Sequence, residues 1–311
     1  MTNGWFGDLV HWATSWGNTM GEELRKTEQR NLALLVGINE YASRYITPLR
    51  GCVNDVWLVR RTLIKHYGFV PDDIRVIIDD RATYDKLESR MEWLANEAGD
   101  GDNVLFYYSG HGSQCRDRDG DELDDSLDEL LVVHDHDWDF PFTDDKLRDL
   151  LLNFRPGVSL AVIVDACHSG TITRSSPAVD PDSFGKNYSA QRFVPPPFDI
   201  EARTDDRSDL PKRHFGECFK DVDELHCVSL SGCRDDQTSQ ETVFRLDNDL
   251  KTHGVLTKLL CETLVAHSGD KVTWEQIHST VSAMIQSYGF RQEPQLNGSV
   301  KAMTAIPFER R

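Results

Sequence analysis

The sequence is short of positive charge. Its 34 Lys and Arg residues face 52 Asp and Glu, leaving a formal net charge of −18. A chain this acidic repels phosphate backbones and anionic lipid, which sets nucleic acid and charged membranes aside as partners. Paired cysteine spacing is also missing. Cys52, Cys115, Cys167, Cys218, Cys227, Cys233 and Cys261 are odd in number, irregularly spaced and contain no C-x-x-C. That argues against a disulfide framework and against a structural zinc site, and it fits a reducing, cytoplasmic setting. No stretch approaches the ~18 consecutive apolar residues of a transmembrane segment. No basic region leads into a long apolar segment at the N-terminus, as a secretory signal requires. There is no G-x-G-x-x-G or Walker pattern to cradle a nucleotide, and no internal repeat.

What is present suits a globular protein. The 311 residues are 39% apolar, enough for one large or two small domains with a sizeable core. In residues 1–30, Trp5, Leu9, Trp12, Trp16 and Met20 recur every three or four positions. The spacing predicts one face of an amphipathic helix, either packed on the protein's own core or docking on an activator, a partner or a membrane interface. From residue 31 strands and helices alternate. Strands are expected at 32–38, 74–78, 103–109, 158–165 and 225–232, with a last one at 300–308. Helices are expected at 54–67 (capped by Asn54), 83–97, 144–153 (capped by Thr143), 253–266 and 274–288. Alternation of this kind predicts an α/β fold, a mainly parallel six-stranded sheet sandwiched between helices. Residues 171–222, with three consecutive prolines and scattered Arg and Lys, read as an irregular exposed linker.

Two strand ends carry chemistry. The third strand runs into "YYSGHG" (107–112) and the fourth into "DACHSG" (165–170). In an open parallel sheet, functional groups gather beyond the carboxyl ends of the strands. If the two strands are neighbours, His111 and Cys167 meet across a cleft. A thiol beside an imidazole is a minimal nucleophilic site. The glycines allow close backbone approach, and the N–H groups of Gly112 and Cys167 can form an oxyanion hole. Each residue taken singly has a bland alternative, a buried cysteine or a structural histidine. The pair at successive strand ends, each followed by glycine, favours catalysis.

These two blocks resemble the signature blocks of metacaspases and their bacterial homologues, in the caspase-like cysteine peptidase clan. "LLVGINEY" (34–41), "LRGCVNDV" (49–56) and "SLSGCRDDQTS" (229–239) are similar as well. The resemblance covers about 31–308. It implies a caspase–haemoglobinase fold with a large-subunit-like portion (31–170) and a small-subunit-like portion (223–311), together one caspase-like domain. It implies a cysteine endopeptidase with Cys167 as nucleophile, His111 as general acid and base, and His168 as a bystander. It further implies cleavage of protein substrates after Arg or Lys, because Asp55 and Asp165 match the family's acidic pocket positions and Ser109 a pocket hydroxyl. A cation entering a water-poor pocket needs such carboxylate partners. Taken alone, Asp55 is also an ordinary first-turn helix acid.

Calcium activation is a further expectation raised by the resemblance. Asp128, Asp144 and Asp145 fall where three calcium ligands lie, while Arg174 puts a cation where a fourth belongs. The acid-dense run "RDRDGDELDDSLDE" (116–129) fails as an EF-hand, with Glu122 in place of the required Gly. "HDHD" (134–137) reads as a polar strand end or a metal site. No cofactor is required by the reading as a whole. The linker residues Arg174, Lys186, Arg192, Arg203, Arg207, Lys212 and Arg213 are candidate self-cleavage points. The rival readings are a catalytically silent regulator with the same fold and an Asp-directed peptidase.

Overall fold

The computed structural model describes residues 29–116, 127–167, 188–201, 226–234, 237–246 and 249–310. The apolar stripe of residues 1–28, most of the acidic run, His168, Arg174 and the other linker cations except Arg192 lie outside them. Among the described residues the strands are β1 (Asn31–Gly37), β2 (Ile74–Ile78), β3 (Asn103–Ser109), β4 (Gly112–Arg116), β5 (Leu127–Leu131) and β6 (Phe142–Thr143). They continue with β7 (Ser159–Asp165), β8 (Ser189–Gln191), β9 (His226–Ser231), β10 (Gln240–Leu246), β11 (Asp249–Gly254) and β12 (Gln295–Gly298).

Six of these form the central sheet in the order β12-β9-β7-β3-β1-β2. All pairings are parallel except β12 with β9. The expected caspase-like α/β architecture is therefore present. β1 and β3 are buried at every position, which explains their unbroken apolar runs: a strand covered on both faces has no polar side to alternate with. Successive side chains feed two opposite cores. Leu34, Phe106 and Val162 pack on one face with Leu87, Met91 and Leu147, from the helices Tyr84–Glu97 and Asp144–Leu151. Leu35, Leu105 and Ile163 pack on the other with Val59, Leu259 and Ile277, from the helices Cys52–His66, Val255–Ala266 and Trp274–Ser287. Each such side chain contributes roughly 1.5–3 kcal/mol of burial.

Three expectations need correction. The sixth strand is Gln295–Gly298, not 300–308: Ser299 caps a short helix at Val300–Met303 by accepting the Ala302 N–H, and Phe308 takes φ +54° to reach the core. The first helix starts at Cys52 rather than at an Asn54 cap. Its leading N–H groups, from Cys52 and Val53, are accepted by Asn39 Oδ1 at 2.9 and 3.4 Å. The stretch 171–222 is not irregular throughout, because β8 and a short helix at Phe198–Glu201 lie within it. Thr143 caps its helix as expected.

Candidate active site

β3 and β7 are neighbours, in a register that sets Ser109 opposite Asp165. The chain therefore leaves the sheet at two adjacent points, bringing His111 and Cys167 to the same end of the sheet. No hydrogen bond joins their side chains. His111 is 2% exposed. Its N–H donates to Tyr41 Oη at 2.8 Å, and the two rings lie 5.2 Å apart. Tyr108 Oη donates to the carbonyls of His111 and Val132 at 2.7 and 2.9 Å, which fixes the turn. His111 Nε2 lies 2.8 Å from the Thr47 carbonyl. A carbonyl only accepts, so Nε2 carries the hydrogen and Nδ1 keeps its lone pair. Nδ1 is buried without a partner. Burial pulls the imidazole down to about 4, so the ring is neutral at pH 7. The Cys167 thiol is also buried and faces Ser239, accepting that residue's N–H at 2.6 Å and donating to its carbonyl at 3.2 Å.

Beside the thiol is a closed acidic pocket. Asp55 reaches it from the first turn of its helix and Asp165 from the end of β7. Glu241, on β10, is a third acid that the sequence reading missed. A guanidinium of the chain itself, that of Arg192, fills the pocket without any solvent exposure. Its Nη2 lies 2.7 Å from Asp55 and 3.3 Å from Glu241, and its Nη1 lies 3.1 Å from Asp165. Nη1 also donates to Ser109 Oγ at 2.9 Å and to the Asp165 carbonyl at 3.0 Å. Burial opposes the charge on Arg192, but Asp165, Asp55 and Glu241 outweigh it and hold its proton well above the usual arginine range.

Each acid is braced in turn. Asp55 accepts from Gly254 N–H at 3.1 Å and contacts His253 Nδ1 at 2.9 Å. Asp165 accepts from the hydroxyls of Ser239 and Thr257, both at 2.6 Å. Glu241 accepts from the N–H groups of Arg50 and Gly51 and from Tyr188 Oη. His253, Gly254 and Thr257 were expected in one helix. Instead β11 ends at Gly254, whose missing side chain is what admits the guanidinium.

The backbone of Arg192 is placed as strictly as its side chain. β8 pairs antiparallel with β10, and Arg192 N–H extends that ladder to the Ser239 carbonyl at 3.1 Å. The Arg192 carbonyl then receives two N–H groups, from Gly112 at 2.9 Å and from Cys167 at 3.2 Å. Beyond it, Phe193 bridges Gly112, Val194 N–H donates to the Gly112 carbonyl at 3.0 Å, and Ser113 Oγ donates to the Val194 carbonyl at 2.5 Å. An extended segment thus crosses the cleft on both sides of the Arg192–Phe193 bond.

The three candidate calcium positions lie on β5 and the start of the helix Asp144–Leu151, apart from the contacts of Arg192. Asp128 lies in β5, paired with Cys115. Asp144 is buried and accepts from the Glu129 N–H at 3.3 Å, and Asp145 lies 3.9 Å from Arg148. Among the described residues no group of three or more His, Cys, Asp or Glu is arranged to hold a metal ion. In 134–137, His134 Nδ1 contacts the Glu40 carbonyl, Asp135 accepts from the Tyr84 N–H, and His136 packs edge-on against Trp138. No described helix is long and apolar enough to cross a membrane.

Residues 31–175 match the family model of the metacaspase, peptidase C14 domain. Metacaspase-1 of Arabidopsis thaliana is 32% identical over 297 residues, covering 86% of this chain and 75% of that protein. Metacaspase-1 of Saccharomyces cerevisiae is 36% identical over 150 residues, covering 46% of this chain but only 34% of the yeast protein. The match thus spans about a third of that relative's length. Among solved structures, protein GSU0716 from Geobacter sulfurreducens aligns with a TM-score of 0.61 at 22% identity, over 90% of this chain and 99% of that one. At that identity the likeness concerns the fold.

Proposed function

The chain belongs to the metacaspase family of caspase-like cysteine peptidases, and on that premise we propose that it cuts peptide bonds after Arg or Lys. Cys167 is the nucleophile, His111 the general acid and base, and the Arg192–Phe193 bond its own first substrate. The observation that carries this reading is the seating of Arg192: its guanidinium meets three carboxylates while its carbonyl meets the N–H groups of Gly112 and Cys167. Those are the contacts a cleaved residue needs, in the places it needs them. An Asp side chain entering the same pocket would face only like charge. Lys would fit as a point charge, without the planar fork that lets Arg address several acceptors.

The reaction follows from the same groups. The thiol of Cys167 turns its hydrogen from the Ser239 carbonyl to Nδ1 of His111, the ring nitrogen without a hydrogen, which takes the proton. The sulfur attacks the carbonyl carbon, and the π electrons move onto oxygen, which is held as an oxyanion by Gly112 and Cys167 N–H. Such a donor is typically worth ~10²–10³ in kcat. Collapse restores the carbonyl and breaks the C–N bond, and the proton on Nδ1 passes to the departing nitrogen. Water then attacks the thioester, yields its proton to Nδ1 and frees the sulfur. Asp55, Asp165, Glu241 and Ser109 bind and orient the cation. A cut at 192–193 falls within the connecting stretch 171–222, between the portions 31–170 and 223–311.

The test uses the whole chain. On incubation the wild type should yield a fragment whose N-terminal residue is Phe193, and Cys167→Ala should stay intact. A fluorogenic peptide panel ending in Arg, Lys or Asp, run with and without Ca²⁺ at pH 6–9, reads specificity. Cleavage by Cys167→Ala, turnover of the Asp peptide alone, or no turnover of any peptide would overturn the reading.

A further inference from the structure

The acidic pocket explains one side of the Arg192–Phe193 bond. The other side is just as specifically built. Val194, the second residue after that bond, is 7% exposed, although it comes from a connecting segment whose neighbours Pro195 and Pro197 are exposed. Its side chain packs with Ile46 and Val132, and half-buried Tyr41 and Trp138 close the cluster. This is the third apolar cluster of the described residues, separate from both faces of the sheet. Ile46 comes from the loop after β1, and Val132 follows β5. Their shared apolar contact is a residue laid across the cleft.

The backbone supports a seated-peptide interpretation. Val194 is tied through its N–H to the Gly112 carbonyl and through its carbonyl to Ser113 Oγ, itself fully buried. Both anchors address main-chain atoms, which any peptide has. The apolar cluster addresses the one feature that differs between peptides. Phe193, in between, is only half-buried. The alternation follows that of an extended chain, with Arg192 and Val194 inward and Phe193 outward.

We infer that Ile46 and Val132, flanked by Tyr41 and Trp138, form a substrate subsite for a small branched aliphatic side chain at the second residue after the cut bond. The inference rests on the peptidase reading above and narrows its substrate class. Preferred proteins carry Arg or Lys, any residue, then Val or a close aliphatic. Val194 holds that subsite until the connecting segment departs. An acidic residue there would lose its hydration without gaining a partner.

The test is a series of internally quenched peptides of sequence Ser-Ala-Gln-Arg-Phe-X-Pro, with X as Val, Ala or Asp, given to the wild-type full chain. Replacing Val by Ala should lower kcat/KM about tenfold, and Asp should lower it further. In the chain itself, Val194→Asp should lengthen the half-time of the Arg192–Phe193 cut by at least as much. Ile46→Ala should flatten the peptide series. Equal kcat/KM for all three peptides, with Arg still required before the cut, would overturn the subsite and leave the peptidase reading standing. If none of the peptides and no Arg-ended reporter is cut, the peptidase reading falls, and the subsite with it.

Discussion

Asp55 Oδ2 and Arg192 Nη2 lie 2.7 Å apart, and neither side chain has any exposure to solvent. With Asp165 and Glu241 the pocket holds three carboxylates against one guanidinium. Deleting the cation leaves like charges facing one another out of water. In a Cys167→Ala background, which keeps the chain uncut, Arg192→Ala should lower unfolding stability by about 3 kcal/mol at pH 7. Urea unfolding measures it. Unchanged stability would mean that the pocket gains nothing from its occupant.

A milder change separates charge from shape. Arg192→Lys keeps one positive charge but replaces a fork that contacts Asp55, Asp165, Glu241 and Ser109 with a single ammonium. The cut after residue 192 should still occur, with a half-time about tenfold longer, following the loss of one or two charge-assisted hydrogen bonds. Gel densitometry over time reads the ratio. Complete loss of cutting would show that the fork is essential rather than advantageous.

The residues that were legible in the sequence share a physical reason. β1, β3 and β7 are covered on both faces, so their apolar runs announce themselves, and His111 and Cys167 stand where those runs stop. Asp165 ends one of those runs, whereas Asp55, in the first turn of the helix Cys52–His66, was named only through the family resemblance. Glu241 has neither signal. It sits on an antiparallel strand of a separate small sheet, and only the fold brings β10 against the end of β7. The edge strand β12 was missed because "QLNG" has no apolar run. It pairs through its backbone, while the apolar residues at 300–308 serve a short helix and the packing of Phe308 against Tyr67, Phe69 and Trp274. Arg192 was one of several linker cations in the sequence, and nothing local singles it out. Its distinction is the pocket it reaches.

Burial of His111 should make stability pH-dependent. Folded, the ring titrates at about 4, below its ordinary 6.5, so the unfolded chain binds the extra proton first. The contribution is complete above about pH 6.5 and is lost as pH falls toward 4. Between pH 7 and pH 5 it amounts to about 2 kcal/mol. In the Cys167→Ala background, His111→Gln should therefore lose about 2 kcal/mol less than its parent over that interval. His136, also pulled down to about 4 by burial, leaves a residual slope in both proteins. Identical slopes would mean that His111 is solvated and its ring is not held neutral by burial.

Gly254 offers the sharpest test of the pocket's dimensions. Its φ of −62° suits any residue, so backbone strain is not at issue. Space is: a Cβ there would stand 2.1 Å from Asp165 Oδ2 and 2.6 Å from Arg192 Nη1. Asp165 cannot yield freely, because Ser239 Oγ and Thr257 Oγ1 both hold its carboxylate. Gly254→Ala should thus displace the guanidinium by about an ångström and lower kcat/KM for Arg peptides about 100-fold. The loss should fall mainly in KM, since the entering side chain is what the methyl opposes. Lys peptides should lose less, because an ammonium needs no fixed plane. Circular dichroism should match the wild type. If Gly254→Ala cuts Arg peptides at full efficiency, the cleaved residue's side chain does not pass this point, and the pocket built from Asp55, Asp165 and Glu241 is not where substrate specificity is set.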